Sequence, residues 1–125
     1  MKKILISDKA PKPIGPYSQA VEYGNLIYTS GQVALDTKGY VISDEIDDQT
    51  RKVLDNIKCI LEDNGSSMDN VIKTTVFLRD MIYFNSMNEV YETYFSKSLP
   101  ARSTVAVLGL PKNVKVEIEV IAFKN

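Results

Sequence analysis

From Val114 to Phe123 the chain reads VKVEIEVIAF, with apolar and polar residues alternating for most of its length. A period of two marks a β-strand, because successive side chains point to opposite faces of the sheet. Val114, Val116, Ile118, Val120 and Ala122 form one unbroken apolar face, which must be covered by helices. Lys115, Glu117, Glu119, Ile121 and Phe123 share the other. Any fold for this chain therefore contains a sheet with one dry face.

The remaining pattern supplies the cover. Ile46, Thr50, Val53, Ile57, Ile60 and Leu61 recur at helical spacing and predict a helix from about Asp44 to Asn64. Asp44, Glu45, Asp47 and Asp48 crowd its first turn, where negative charge suits the helix dipole, and Gly65 follows as a C-terminal cap. A second helix carries Phe84, Met87, Tyr91, Tyr94 and Phe95 on one stripe and is stopped by Pro100. Val71 to Leu78 (VIKTTVFL) is short and rich in β-branched residues, hence a strand. Ser18–Tyr23 and Leu26–Ser30 flank the turn Gly24-Asn25 as a hairpin ending at Gly31. Asp36 to Gly39 forms a further turn, and Ala101–Leu108 a further strand. Ala10 to Pro16 is the densest Pro/Gly stretch and predicts an extended, rigid loop. The order β-β-(β)-α-β-α-β-β gives an α+β sheet with both helices on one face. With 125 residues and no repeat or linker, residues 1–125 make one domain.

Three counts narrow the chemistry. The chain has no His, no Trp and one Cys, Cys59. Without His there is no Ser-His-Asp or Cys-His relay, and most zinc sites are excluded. One Cys makes neither an internal disulfide nor a multi-thiolate metal centre, which fits a reducing compartment. Cys59 lies beside Asp55 and Glu62, away from the apolar helix face, as an exposed thiol without a role. Fifteen Lys and Arg against sixteen Asp and Glu, net −1, leave no basic face for nucleic acid. The opening Met1-Lys2-Lys3 precedes only three apolar residues, against roughly 7–15 in a signal peptide. No apolar run nears the roughly 20 residues of a membrane span. A cytoplasmic protein that meets no membrane is expected.

Parity in ARSTVAVL sets Ser103, Val105 and Val107 on one side and Arg102, Thr104, Ala106 and Leu108 on the other. Lys115 and Glu119 read as residues of a solvated outer face. A sheet side carrying Ile121, Phe123, Ala106 and Leu108 is too apolar to be wholly wet, which suggests a partner subunit. Arg102 at such a seam either pairs with a carboxylate of the protein or awaits one from a ligand. The residues alone leave both open.

Four separated segments then carry a resemblance. Ile14-Gly15-Pro16-Tyr17-Ser18-Gln19-Ala20, Tyr28-Thr29-Ser30-Gly31-Gln32, Pro100-Ala101-Arg102-Ser103-Thr104-Val105, and Leu110-Pro111-Lys112 with Val116-Glu117-Ile118-Glu119 resemble the RidA (YjgF/YER057c/UK114) family of reactive-intermediate deaminases. The resemblance runs nearly end to end. It implies a chorismate-mutase-like α+β fold and a homotrimer with sites in clefts between subunits. It implies hydrolysis of 2-imino acids and their enamine tautomers, such as 2-iminobutanoate and 2-iminopropanoate, to 2-keto acids and ammonia, without metal or organic cofactor. Such imines escape from pyridoxal-phosphate enzymes acting on serine or threonine.

Carried over by position, Arg102 looks like the residue that grips the substrate carboxylate, a task suited to its planar fork. Glu117 resembles the acid that orients water and protonates the imine nitrogen. Tyr17, Ser30 and Gly31 match cleft-lining residues of the family, and Asn88 and Tyr91 match as further substrate contacts. Packing would account for Tyr17 and, equally with ligand contact, for Tyr91, and local hydrogen bonding would account for Ser30 and Asn88. Thr104 stands where many members carry Cys, so its hydroxyl or backbone carbonyl is what remains to hold water; Ala106 replaces a common Glu. Two other readings remain. A trimer that binds keto acids without turnover would use Arg102 and not need Glu117. An endoribonuclease would lack both a His base and a basic stripe.

Overall fold

The computed structural model describes residues 1–125. Eight regular elements follow one another: β1 (Lys3–Leu5), β2 (Ala20–Tyr23), β3 (Leu26–Thr29), α1 (Ile46–Glu62), β4 (Val71–Leu78), α2 (Phe84–Phe95), β5 (Ala101–Ala106) and β6 (Val116–Phe123). The strands form one mixed sheet in the order β1-β2-β3-β6-β4-β5, and only β4 and β5 run parallel. The α+β architecture with two helices is the expected one.

The alternating strand β6 lies at the centre, between β3 and β4. Its Val116, Ile118, Val120 and Ala122 are all buried. Against them pack Val53, Leu54, Ile57, Ile60 and Leu61 of α1, with Met87, Tyr91 and Phe95 of α2. Fully burying each aliphatic side chain is worth about 1.5–3 kcal/mol, so this single layer between helices and sheet dominates the fold. β4 spans the expected residues, and a bulge at Ile72 resets its register on β6.

Several boundaries move. α1 is shorter than the charge pattern suggests, because Glu45 is its N-cap and Asp63 its C-cap. Arg51, one turn in, pairs with both Asp47 and Asp48. Gly65 is left-handed (φ 82°) just beyond the helix, as a terminating glycine should be. The third strand ahead of α1 is β1, not a strand after the Asp36–Gly39 turn, where only an isolated Leu35–Val41 bridge forms. β5 ends at Ala106 and β6 begins at Val116. Cys59 is half-buried rather than exposed.

One correction matters for function. In the β4–β5 register Arg102 lies beside Thr74 and Thr104 beside Val76, and Thr74 and Val76 are core residues under the helices. Arg102 and Thr104 therefore belong to the helix face. Ser103 and Val105 join Glu117, Glu119, Ile121 and Phe123 on the open face. Parity within β5 was legible, but only pairing with β4 says which side meets the helices. Lys115 is also not solvated: its side chain is 15% exposed. Its ammonium meets the Asp44 carbonyl and lies 5.4 Å from the Tyr83 ring centroid.

Before β2 the chain makes the Pro-rich loop. Gln19, buried, holds its base: Oε1 accepts from Ser7 N–H at 2.7 Å, and Nε2 donates to the carbonyls of Ser7 and Pro11 at 3.1 and 2.8 Å. No helix is long and apolar enough to cross a membrane.

Candidate active site

The residues singled out from the sequence fall into two groups, one on each face of the sheet. Two clefts result.

The first cleft, about 490 Å³, is lined by Tyr17, Ser30, Gly31 and Glu117 together with Ile14, Val33, Leu35, Pro111 and Lys112. An antiparallel bridge builds it. Gln32 N–H donates to Ile118 O at 2.8 Å and Ile118 N–H donates to Gln32 O at 3.1 Å, laying Ser30-Gly31 alongside Glu117. Gly31 lets the backbone pass directly under the carboxyl group: an added Cβ would lie 2.2 Å from Glu117 Oε2. Ser30 Oγ donates to the Ser18 carbonyl at 2.6 Å and so ties the loop end to the cleft floor. The Tyr17 hydroxyl accepts from the Ile14 N–H at 3.1 Å, which holds the ring across the mouth.

Burial holds the Glu117 carboxyl above the ordinary value of 4.5, and the neighbouring charge of Glu119 adds to the shift. A carboxyl group poised in this way serves as proton donor and acceptor nearer neutrality than an exposed one.

The second cleft, about 510 Å³, lies between α2 and the β5 edge, lined by Asn88, Tyr91, Arg102, Leu99, Pro100 and neighbours. Arg102 Nη1 donates to Asn88 Oδ1 at 2.6 Å. Its guanidinium carbon is 4.7 Å from the Tyr91 ring centroid and 5.6 Å from that of Phe84, within cation–π range. None of the chain's ion pairs uses Arg102. Of the two options left open by the sequence, a carboxylate of the protein is not paired with Arg102 within this chain, although Glu92 lines the same cleft. Burial pushes the Tyr91 hydroxyl above its usual range, opposed by Thr74 and Arg102. Thr104 projects from β5 on the same face, with its Oγ1 buried and lacking a hydrogen-bond partner.

So Tyr17, Ser30, Gly31 and Glu117 come together, and Arg102, Asn88 and Tyr91 come together. Within one chain the two sets do not meet, because the sheet separates them. One cleft residue, Lys112, was not singled out, although the Leu110-Pro111-Lys112 motif signals it: in left-handed backbone (φ 54°), it donates Nζ to the Gly39 carbonyl at 2.9 Å and closes the rim of the first cleft. Phe84 packs against the core, as its helical stripe predicts, and its ring also borders the guanidinium. No group of three or more His, Cys, Asp or Glu side chains is placed to hold a metal ion.

The chain is similar to known proteins over its whole length. It is 54% identical to a RutC family protein of Pyrococcus horikoshii, covering 100% of both. It is 46% identical to the mouse 2-iminobutanoate/2-iminopropanoate deaminase, over 100% of this chain and 93% of that protein. A crystal structure from Thermotoga maritima, 51% identical, superposes with a TM-score of 0.96 over 100% of this chain and 99% of the other. Residues 7–124 match the family model described as Endoribonuclease L-PSP, and the chain belongs to that family, the one its four motifs resemble under the name RidA (YjgF/YER057c/UK114).

Proposed function

We propose that the protein hydrolyses short 2-imino acids, with 2-iminobutanoate and 2-iminopropanoate as substrates, to 2-keto acids and ammonia. The observation that carries this reading is Arg102: a guanidinium oriented by neutral Asn88 and an aromatic face, and engaged in no ion pair within its own chain. Such a fork matches a substrate carboxylate bidentately. The deaminase name of the mouse relative supports the same substrate class.

In this reading two copies complete each site, one giving Arg102 with Asn88 and Tyr91, the other Glu117 with Gly31, Ser30 and Tyr17. The apolar residues Ile121, Phe123 and Val105 on the open sheet face favour assembly, and a homotrimer closes it with one interface type repeated. With the carboxylate held, water lies against the electrophilic imine carbon. Its oxygen bonds to that carbon while a proton passes to the imine nitrogen by way of the Glu117 carboxyl. The resulting carbinolamine passes its hydroxyl proton through the same group to the amine nitrogen, the C–N electron pair leaves with that nitrogen as ammonia, and the C=O bond of the keto acid forms. Positioning alone supplies several kcal/mol of the acceleration.

The test is ammonia release when 2-iminobutanoate is generated in situ. Release above the uncatalysed rate is expected. Binding of 2-ketobutanoate without any acceleration would replace this reading with that of a non-catalytic keto-acid binder.

A further inference from the structure

We propose that Thr74 is a positioning residue for Arg102, acting through Tyr91, and thereby sets the affinity of the second cleft for carboxylates. The inference rests on the reading of Arg102 as the carboxylate clamp.

Thr74 is fully buried in β4 and lies directly beside Arg102 in the parallel β4–β5 register. A buried threonine under helices needs only to pack, and valine would pack as well. Here the Thr74 and Tyr91 hydroxyls are 2.7 Å apart, and Tyr91 is 8% exposed. That hydrogen bond is the only one the Tyr91 hydroxyl makes. The Tyr91 ring rests on Phe95, centroids 4.6 Å apart, and carries the guanidinium 4.7 Å above its own centroid. The Thr74 hydroxyl fixes how deep the phenol sits, and the ring fixes the plane of the guanidinium. Asn88 fixes its edge. Three contacts thus orient a fork whose value depends on orientation. Removing the Thr74 hydroxyl strands a buried phenol, which moves toward another partner and tilts the ring.

The test compares Thr74→Val, close in shape without the hydroxyl, with Thr74→Ser, which keeps the hydroxyl and loses a buried methyl. Calorimetric titration with 2-ketobutanoate reads affinity, and thermal melts read stability. Thr74→Val is expected to weaken binding roughly tenfold, or about 1.4 kcal/mol. Thr74→Ser should return affinity to within about threefold of the parent although it melts lower, because the hydroxyl rather than packing sets the clamp. In a Tyr91→Phe background, which has no phenol to hold, Thr74→Val should add less than about twofold. Equal weakening by Val and Ser, or a full effect of Val in the Phe background, overturns the proposal. If Arg102→Ala loses affinity while Thr74→Val does not, the role of Thr74 alone falls. If Arg102→Ala binds like the parent, the clamp reading itself falls and takes this inference with it.

Discussion

Gly31 lies so close to Glu117 that a Cβ on it would meet Oε2 at 2.2 Å and Cδ at 2.7 Å. The glycine is needed for space, since its backbone is not among the left-handed positions of the chain. The atoms in the way are the far end of a flexible side chain. Gly31→Ala should therefore cost little folding stability while pushing the carboxyl group off its position. Misplacing a reacting group by about 1 Å can cost about 10²-fold, and a fall in kcat of that order is expected with a melting temperature near the parent's. Steady-state kinetics beside a thermal melt checks it; unchanged kcat would dissociate Glu117 from catalysis.

Glu117→Gln should lower turnover by about 10²–10⁴-fold, the usual contribution of a general acid–base group, while Glu119→Gln loses far less. The same substitution should raise stability. Between 4.5 and the raised folded value, the unfolded chain gives up the Glu117 proton and the folded chain keeps it. Stability therefore falls as pH rises through that window, and the penalty is fully present above it. Glu117→Gln removes the penalty, so its melting temperature at neutral pH should exceed the parent's and the gap should vanish at low pH. Glu119→Gln should move the Glu117-linked limb of the pH–rate profile to lower pH, because one cause of the shift is gone. A limb that stays in place would assign it to another group.

The elements were legible where one physical signal dominated. Val71–Leu78 was exact because β-branched residues fill it, and β6 was legible because it alternates. β1 was missed: three residues, Lys3–Leu5, become a strand only by pairing with Ala20–Glu22. The candidate site residues came from the resemblance as a set, not as an arrangement. Alternation in β5 separates Arg102 from Ser103, yet the side that meets α2 is decided by Thr74 and Val76 across the ladder. That non-local fact puts Arg102 and Glu117 on opposite faces. Lys115 was misjudged for a similar reason, since a strand-end lysine reads as solvated until Asp44 and Tyr83 fold over it.

Arg102→Lys keeps the charge and loses the fork. A charge-assisted hydrogen bond contributes roughly 1.5–3 kcal/mol, so kcat/KM should fall at least about tenfold in Lys and further in Ala. Asn88→Ala frees the guanidinium edge without touching its charge, and a smaller loss, mostly in KM, is expected. Light scattering should show all three at the parent's mass. Properly assembled Lys and Ala variants that hydrolyse imines like the parent would remove Arg102 from the site.

The separation of Arg102 and Glu117 by the sheet makes a stronger demand. If each site takes Arg102 from one copy and Glu117 from the next, Arg102→Ala and Glu117→Gln homotrimers are both nearly inactive, yet each keeps one intact half-site. Unfolding and refolding the two variants together in equal amounts mixes subunits at random. A site is then whole when an Arg-bearing copy is followed by a Glu-bearing one, which happens for about one site in four. Activity should rise from nearly nothing to about a quarter of the parent's, with assemblies at three times the 14.0 kDa chain mass. Mixing without refolding should restore nothing until subunits exchange. A double variant, Arg102→Ala with Glu117→Gln in one chain, should dilute refolded parent activity instead. In that mixture too, only about one site in four is whole, and the rest contain at least one damaged half. If single variants refolded together stay inactive while each assembles normally, the two residues do not act in one shared site, and the arrangement proposed for catalysis is wrong.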